Sequence, residues 1–177
     1  MAVEKLNVPV RDHLLAHSAL VQAKEFLARL RGEIMHALTH RDVDDTVLVR
    51  IGARQALYED RLHRFLLGTT PEIVAAHGVL ANSLAMKQLE ATLHILTSGA
   101  KSNPVFPPVT SEFWYVAASQ VINGLKQIED QSFNGIRREA SAEGIRLNHE
   151  SLLRTGLLVV FSIVILAVGL STIIGLL

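Results

Sequence analysis

Cysteine is absent from the 177-residue sequence, which excludes disulfides and thiolate metal sites. Aromatic residues make up only 5%, and eleven glycines and five prolines are thin punctuation for a β-rich fold. Long Leu-, Ala-, Arg- and Glu-rich stretches suit helices instead. Charge of one sign is also missing: 17 basic residues balance 17 acidic ones, so net charge predicts no attraction to nucleic acid. There is no glycine-rich phosphate loop, nucleophile elbow or zinc-protease motif, and the sequence therefore assigns no catalytic residue and no cofactor. No secretory signal opens the chain, because the apolar run around 14–20 is broken by His13 and His17 and is too short.

One long apolar run is present. Residues 155–177 contain no charged side chain and are dominated by Leu, Val and Ile. As a helix they would reach about 34 Å, against a hydrocarbon core of about 30 Å, which predicts a transmembrane helix. Read as given, the chain is tail-anchored or is the front part of a longer protein.

Periodicity and caps predict four helices. In the first, over about 10–39, Leu20, Ala23, Leu27, Leu30, Ile34 and Ala37 recur at spacings of three and four, forming one apolar seam. The second, over about 45–67, has Val47, Ile51, Tyr58, Leu62 and Phe65 on its seam, and Asp44 and Asp45 at its positive end. A third is predicted over 71–97, with Thr70 as N-cap, Pro71 as first residue, and Val79, Met86, Leu89, Leu93 and Leu96 inward. The proline-rich stretch 98–108 reads as a loop. A fourth helix, capped by Thr110 or Ser111, carries the seam Trp114, Ala118, Val121, Leu125 and Ile128. Its stripe then slips to Phe133, Ile136 and Ala140. No proline follows, so this helix is expected to continue into the membrane span and to measure on the order of 100 Å in all. The predicted fold is all-α: an antiparallel four-helix bundle over 10–150, after a tail over 1–9, whose last helix runs into the transmembrane segment 151–177.

The eight histidines include the i, i+4 pairs His13/His17 and His36/His40. The pairs are far apart along one helix and lack a carboxylate at matching spacing, so they read as surface histidines and no metal site is assigned. Arg29 lies between Glu25 and Glu33 in an i, i+4 ladder and reads as structural. Arg31 is different: its helical neighbours are Leu27, Ala28, Ile34 and Met35. Such a cation must pair with another helix, snorkel to water or hold an anion. Lys24 lies on the same flank, and Arg54 falls inward between Ile51 and Tyr58. Two guanidinium groups aimed at a bundle interior could bind a planar oxyanion. Pairing with Glu59, Asp60 or Glu90, or simple snorkelling to water, is the competing reading.

The stretch 21–31, with Lys24-Glu25 and Arg29-Leu30-Arg31, resembles the first helix of the nitrate- and nitrite-sensing (NIT) domain family. Gln55, Tyr58 and Phe65 are similar to its second helix. Trp114-Tyr115, then Ser119-Gln120-Val121-Ile122-Asn123, then Leu125-Lys126-Gln127-Ile128-Glu129 resemble its fourth-helix pattern. The resemblance implies an all-helical sensory domain in which Arg31 takes the position of the first-helix arginine, and Ser119 and Asn123 the hydroxyl and Asp positions of the fourth helix. With Lys24 and Arg54 these are the candidate ligand-binding residues. The chain departs from the family pattern at Ala28 for Gly, Leu30 for Glu and Val121 for Arg.

The leading functional reading is a membrane-anchored sensory domain of the bacterial inner membrane, a homodimer by resemblance, that binds nitrate or nitrite and signals through its last helix. The alternative is a ligand-less helical scaffold module on a membrane anchor, favoured by Leu30 and Val121. The sequence gives opposite answers on topology. Arg137, Arg138, Arg146 and Arg154 precede the span, which places the bundle in the cytoplasm by the positive-inside rule; family resemblance places it outside.

Overall fold

A computed structural model describes residues 8–41, 44–98 and 109–174, with side chains described over 10–41, 44–97 and 109–142. The described residues are helical, without a strand: α1 (Val8–His40), α2 (Asp45–Gly68), α3 (Pro71–Ala81), α4 (Leu84–Ser98) and α5 (Ser111–Ile174). The chain divides into two compact units, Met1–Ile136 and Arg137–Leu177. In the second, the backbone is helical to Ile174. The predicted loop lies within residues that are almost all outside the described set. The side chains of the predicted membrane span also lie outside it, and among the described residues no helix is long and apolar enough to cross a membrane.

In the first unit α1 runs antiparallel to α5 and to α2. Along α1, His17, Lys24 and Arg31 meet Phe133, Glu129 and Ser119 of α5 in descending order. Ala16 lies against Gly68 and Glu33 against Arg54, which sets α1 antiparallel to α2. The seams drive this packing. All six seam residues of α1 are buried, as are Ile51, Tyr58 and Phe65 of α2 and Trp114, Ala118, Val121, Leu125 and Ile128 of α5. Each large aliphatic or aromatic side chain so buried contributes about 1.5–3 kcal/mol.

The caps explain where helices begin. Asp44 Oδ1 accepts from the Val47 amide at 2.7 Å, and Thr110 Oγ1 accepts from the Phe113 amide at 3.2 Å, each satisfying a donor of the first turn. Arg41, at φ 51°, is in the left-handed conformation that stops α1.

Two expectations are corrected. The third helix is not continuous: it breaks at Asn82-Ser83 into α3 and α4. Asn82 donates through its side-chain amide to the Gly78 carbonyl at 2.8 Å, and Ser83 Oγ accepts from the Met86 amide at 3.2 Å. These short polar side chains thus satisfy one helix end and start the next. The break resets the helical phase, so Met86, Leu89, Leu93 and Leu96 are buried while Val79 is 77% exposed. The stripe of α5 does not slip. Ser132 and Ile136 continue the inward face, and Phe133 is half exposed, its ring 5.7 Å from that of His17.

Candidate functional site

The α1–α5 seam places Arg31 among three groups near the start of α5. Trp114, fully buried, donates from its indole Nε1 to the Arg31 carbonyl oxygen at 3.0 Å. The Arg31 Nη1 donates to Ser119 Oγ at 2.9 Å, and that hydroxyl donates to the Tyr115 carbonyl oxygen at 2.6 Å. The Arg31 Cζ lies 4.7 Å from the centroid of the Tyr115 ring, within cation–π range. Arg31 is half-buried and pairs with no carboxylate among the described residues. Its Nε and Nη2 make no hydrogen bond to a described residue, which leaves N–H donors for a ligand.

The other candidate cations are committed elsewhere. Lys24 forms an ion pair with Glu129 across the same seam, both side chains about four-fifths buried (20% and 19% exposed). Arg54 does point inward, but its Nη1 lies 2.7 Å from Glu33 Oε2, and Arg50 pairs with the other oxygen of that carboxylate. The competing sequence reading of Arg54 was right in kind and wrong in partner, since the carboxylate comes from α1 and not from α2 or α4. Glu33 sits two residues after Arg31, about 200° around the helix at 3.6 residues per turn. Arg31 and Arg54 thus face different neighbours of α1 and do not converge on one interior pocket. The Arg29 ladder is absent as well: Glu33 is taken by the α2 arginines, and Arg29 is exposed over the ring of Phe26 at 5.9 Å. Asn123, one turn beyond Ser119, is exposed.

Leu30 and Val121, both fully buried, belong to the apolar core and bring no polar group to the seam. A groove of about 580 Å³ between α1 and α2 is lined by Ala16, Gln22, Arg61, Arg64 and Gly68. Arg64 Nε lies 3.0 Å from Asp60 Oδ2 and Arg61 Nε 3.7 Å from it, so these cations have a carboxylate already. The rings of His36 and His40 pack at 4.4 Å, and among the described residues no cluster of three metal-ligating side chains occurs.

Sequence reasoning missed one group. Tyr115 stood in the fourth-helix pattern without a role, although its i, i+4 spacing from Ser119 could have placed it beside the same partner. Tyr58, on its predicted seam, lies in the core with its hydroxyl unpartnered among the described residues; burial first, and the charges of Glu90 and Glu59 second, push its pKa above the usual phenol range.

No curated protein and no solved structure matches the chain. The family described as nitrate and nitrite sensing matches residues 3–137, well over half the sequence and nearly coincident with the first compact unit. The chain accordingly belongs to the nitrate and nitrite sensing (NIT) family.

Proposed function

We propose that this chain is a membrane-anchored sensory domain that binds a small anion, nitrate or nitrite, at Arg31 in the α1–α5 seam and signals along α5. The observation that carries the reading is a half-buried guanidinium held by a hydroxyl and an aromatic ring but by no carboxylate among the described residues. A cation so placed lacks counter-charge, and a monoanion at its free edge would supply it. Ser119 positions the guanidinium; Asn123 is exposed one turn further along α5. Because Ser119 and Tyr115 hold the guanidinium from α5, an anion bound at its free edge adds contacts that favour one arrangement of α1 against α5 over another. The charge-free run 155–177 supports a membrane anchor at the bacterial inner membrane, and a dimer is the expected assembly.

Titration of the full chain in detergent with nitrate, nitrite and chloride, followed by calorimetry and thermal melting, tests this. Nitrate and nitrite should raise the melting temperature and chloride should not. Arg31→Ala should abolish the response, while Arg54→Met, which leaves Glu33 paired with Arg50, should keep it. An unchanged nitrate response in Arg31→Ala removes Arg31 from the site.

A second reading, a ligand-less helical scaffold, is favoured by the fully buried Leu30 and Val121, aliphatic where the family pattern has Glu and Arg. Absence of any anion response in the wild-type chain would support it.

A further inference from the structure

Tyr115 contributes more to this seam than packing. The Arg31 Cζ lies over its ring, 4.7 Å from the centroid, and the residue is 42% exposed, so Tyr115 is shared between the guanidinium and solvent. Ser119 takes one donor of Nη1. The Nε–Nη2 edge, the side-on pair of parallel N–H groups, is the part of Arg31 left for a ligand.

Resting on the reading of Arg31 as an anion site, we propose that Tyr115 is its specificity-determining residue: by covering one face of the Arg31 guanidinium it admits flat monoanions, small carboxylates included, and refuses tetrahedral dianions.

The first reason is geometric. A guanidinium binds oxyanions within its own plane. A flat anion keeps every oxygen in that plane, clear of the ring beside it. A tetrahedral anion bound through two oxygens must raise a third out of the plane, toward the ring. There it meets a steric wall and the negative face of the aromatic quadrupole.

Charge gives the second reason. Arg31 is a single cation of the α1–α5 seam, and the other cation of that seam, Lys24, is paired with Glu129. A monoanion brings the seam to neutrality. A dianion leaves one negative charge in a half-buried position without a partner, which is costly.

The third reason extends the ligand class. Position 121 is valine and position 30 leucine, both in the core, so neither offers a charged or hydrogen-bonding side chain to the outer oxygen of nitrate. Two oxygens at one edge are all that Arg31 can hold bidentately, and formate or nitrite presents two as well as nitrate does. Small carboxylates therefore compete for the site instead of being excluded from it.

The test uses the full chain in detergent, with nitrate, formate and sulfate titrated by calorimetry. Wild type should bind nitrate, lose it to competing formate, and bind sulfate at least tenfold more weakly. Tyr115→Leu should bind nitrate about two- to fivefold more weakly, the size of a lost exposed cation–π contact, and should narrow the nitrate-to-sulfate ratio. Tyr115→Phe keeps the ring and should retain the wild-type ratio, which separates the ring from its hydroxyl. Far-ultraviolet circular dichroism checks that both variants remain folded, as substitutions at a partly exposed position should. If wild type binds nitrate but Tyr115→Leu keeps the same ratio, or formate does not compete, this assignment is overturned while Arg31 stands. If wild type binds no anion at all, the parent reading fails and takes this one with it.

Discussion

The indole Nε1 of Trp114 donates to the carbonyl oxygen of Arg31 at 3.0 Å, so the residue that presents the lone guanidinium is fixed to α5 through its backbone as well as its side chain. The link joins a fully buried aromatic to a helix carbonyl already accepting within α1. It positions α5 at the level where Ser119 and Tyr115 reach Arg31.

Replacing Trp114 by Phe removes this donor and leaves a small void. The expected loss is about 1–3 kcal/mol of unfolding free energy, from the lost hydrogen bond and the incompletely filled space. Urea unfolding of the full chain measures it. A loss below the error of the fit would mean that the indole nitrogen contributes nothing to the α1–α5 contact.

Lys24 and Glu129 form a second rung of the same seam, and both are largely withdrawn from water. Removing one partner strands the other charge. Lys24→Met alone should therefore destabilise the chain by about 1–2 kcal/mol, reduced from the value for a fully buried pair because some solvent reaches both groups. The double variant Lys24→Met with Glu129→Leu should recover most of that loss, since an apolar pair of similar shape carries no desolvation penalty. Equal stability of the single and double variants would show that the ion pair is uncoupled.

The apolar seams were legible in the sequence because burial imposes a period that sequence alone displays: Leu20 through Ala37 and Trp114 through Ile128 lie inward as their spacing predicts. Asn82-Ser83 was not legible as a break. Apolar residues recur on both sides of it, and the local hydrogen bonds that end α3 are options that these residues also forgo inside helices. Arg31 was legible as a cation without a carboxylate on its own helix. The commitment of Arg54 to Glu33 was not, because i, i+4 arithmetic sees partners within one helix, and this carboxylate arrives from a neighbour about twenty residues earlier. Ser119 beside Arg31 came from family resemblance; neither periodicity nor composition pointed to it.

Gly32 lies on the exposed side of α1, where an added Cβ would meet no atom within 4 Å. Glycine within a helix costs about 0.5–1 kcal/mol relative to alanine through the freedom it retains when unfolded. Gly32→Ala should therefore stabilise the chain by about that amount, seen as a higher urea midpoint with an unchanged slope. Destabilisation would show that the neighbouring Arg31 needs the flexibility of glycine.

His77, on α3, has its Nε2 buried without a hydrogen-bond partner among the described residues, and burial pushes its pKa below the ordinary value of 6.5. The imidazole is thus more readily protonated in the unfolded chain than in the folded one. As pH falls through about 6.5 the unfolded state takes up the proton first, and stability declines until the lowered folded pKa is passed. Above about pH 6.5 the full stability is present, because both states are neutral there. Urea unfolding at about pH 7.5 and about pH 5 should show a loss on the acid side that is smaller in His77→Phe than in wild type. The other histidines and the carboxylates contribute equally to both chains, so the difference between them isolates this one ring. An identical acid-side loss in the two would place His77 Nε2 in contact with water and make α3 indifferent to its protonation.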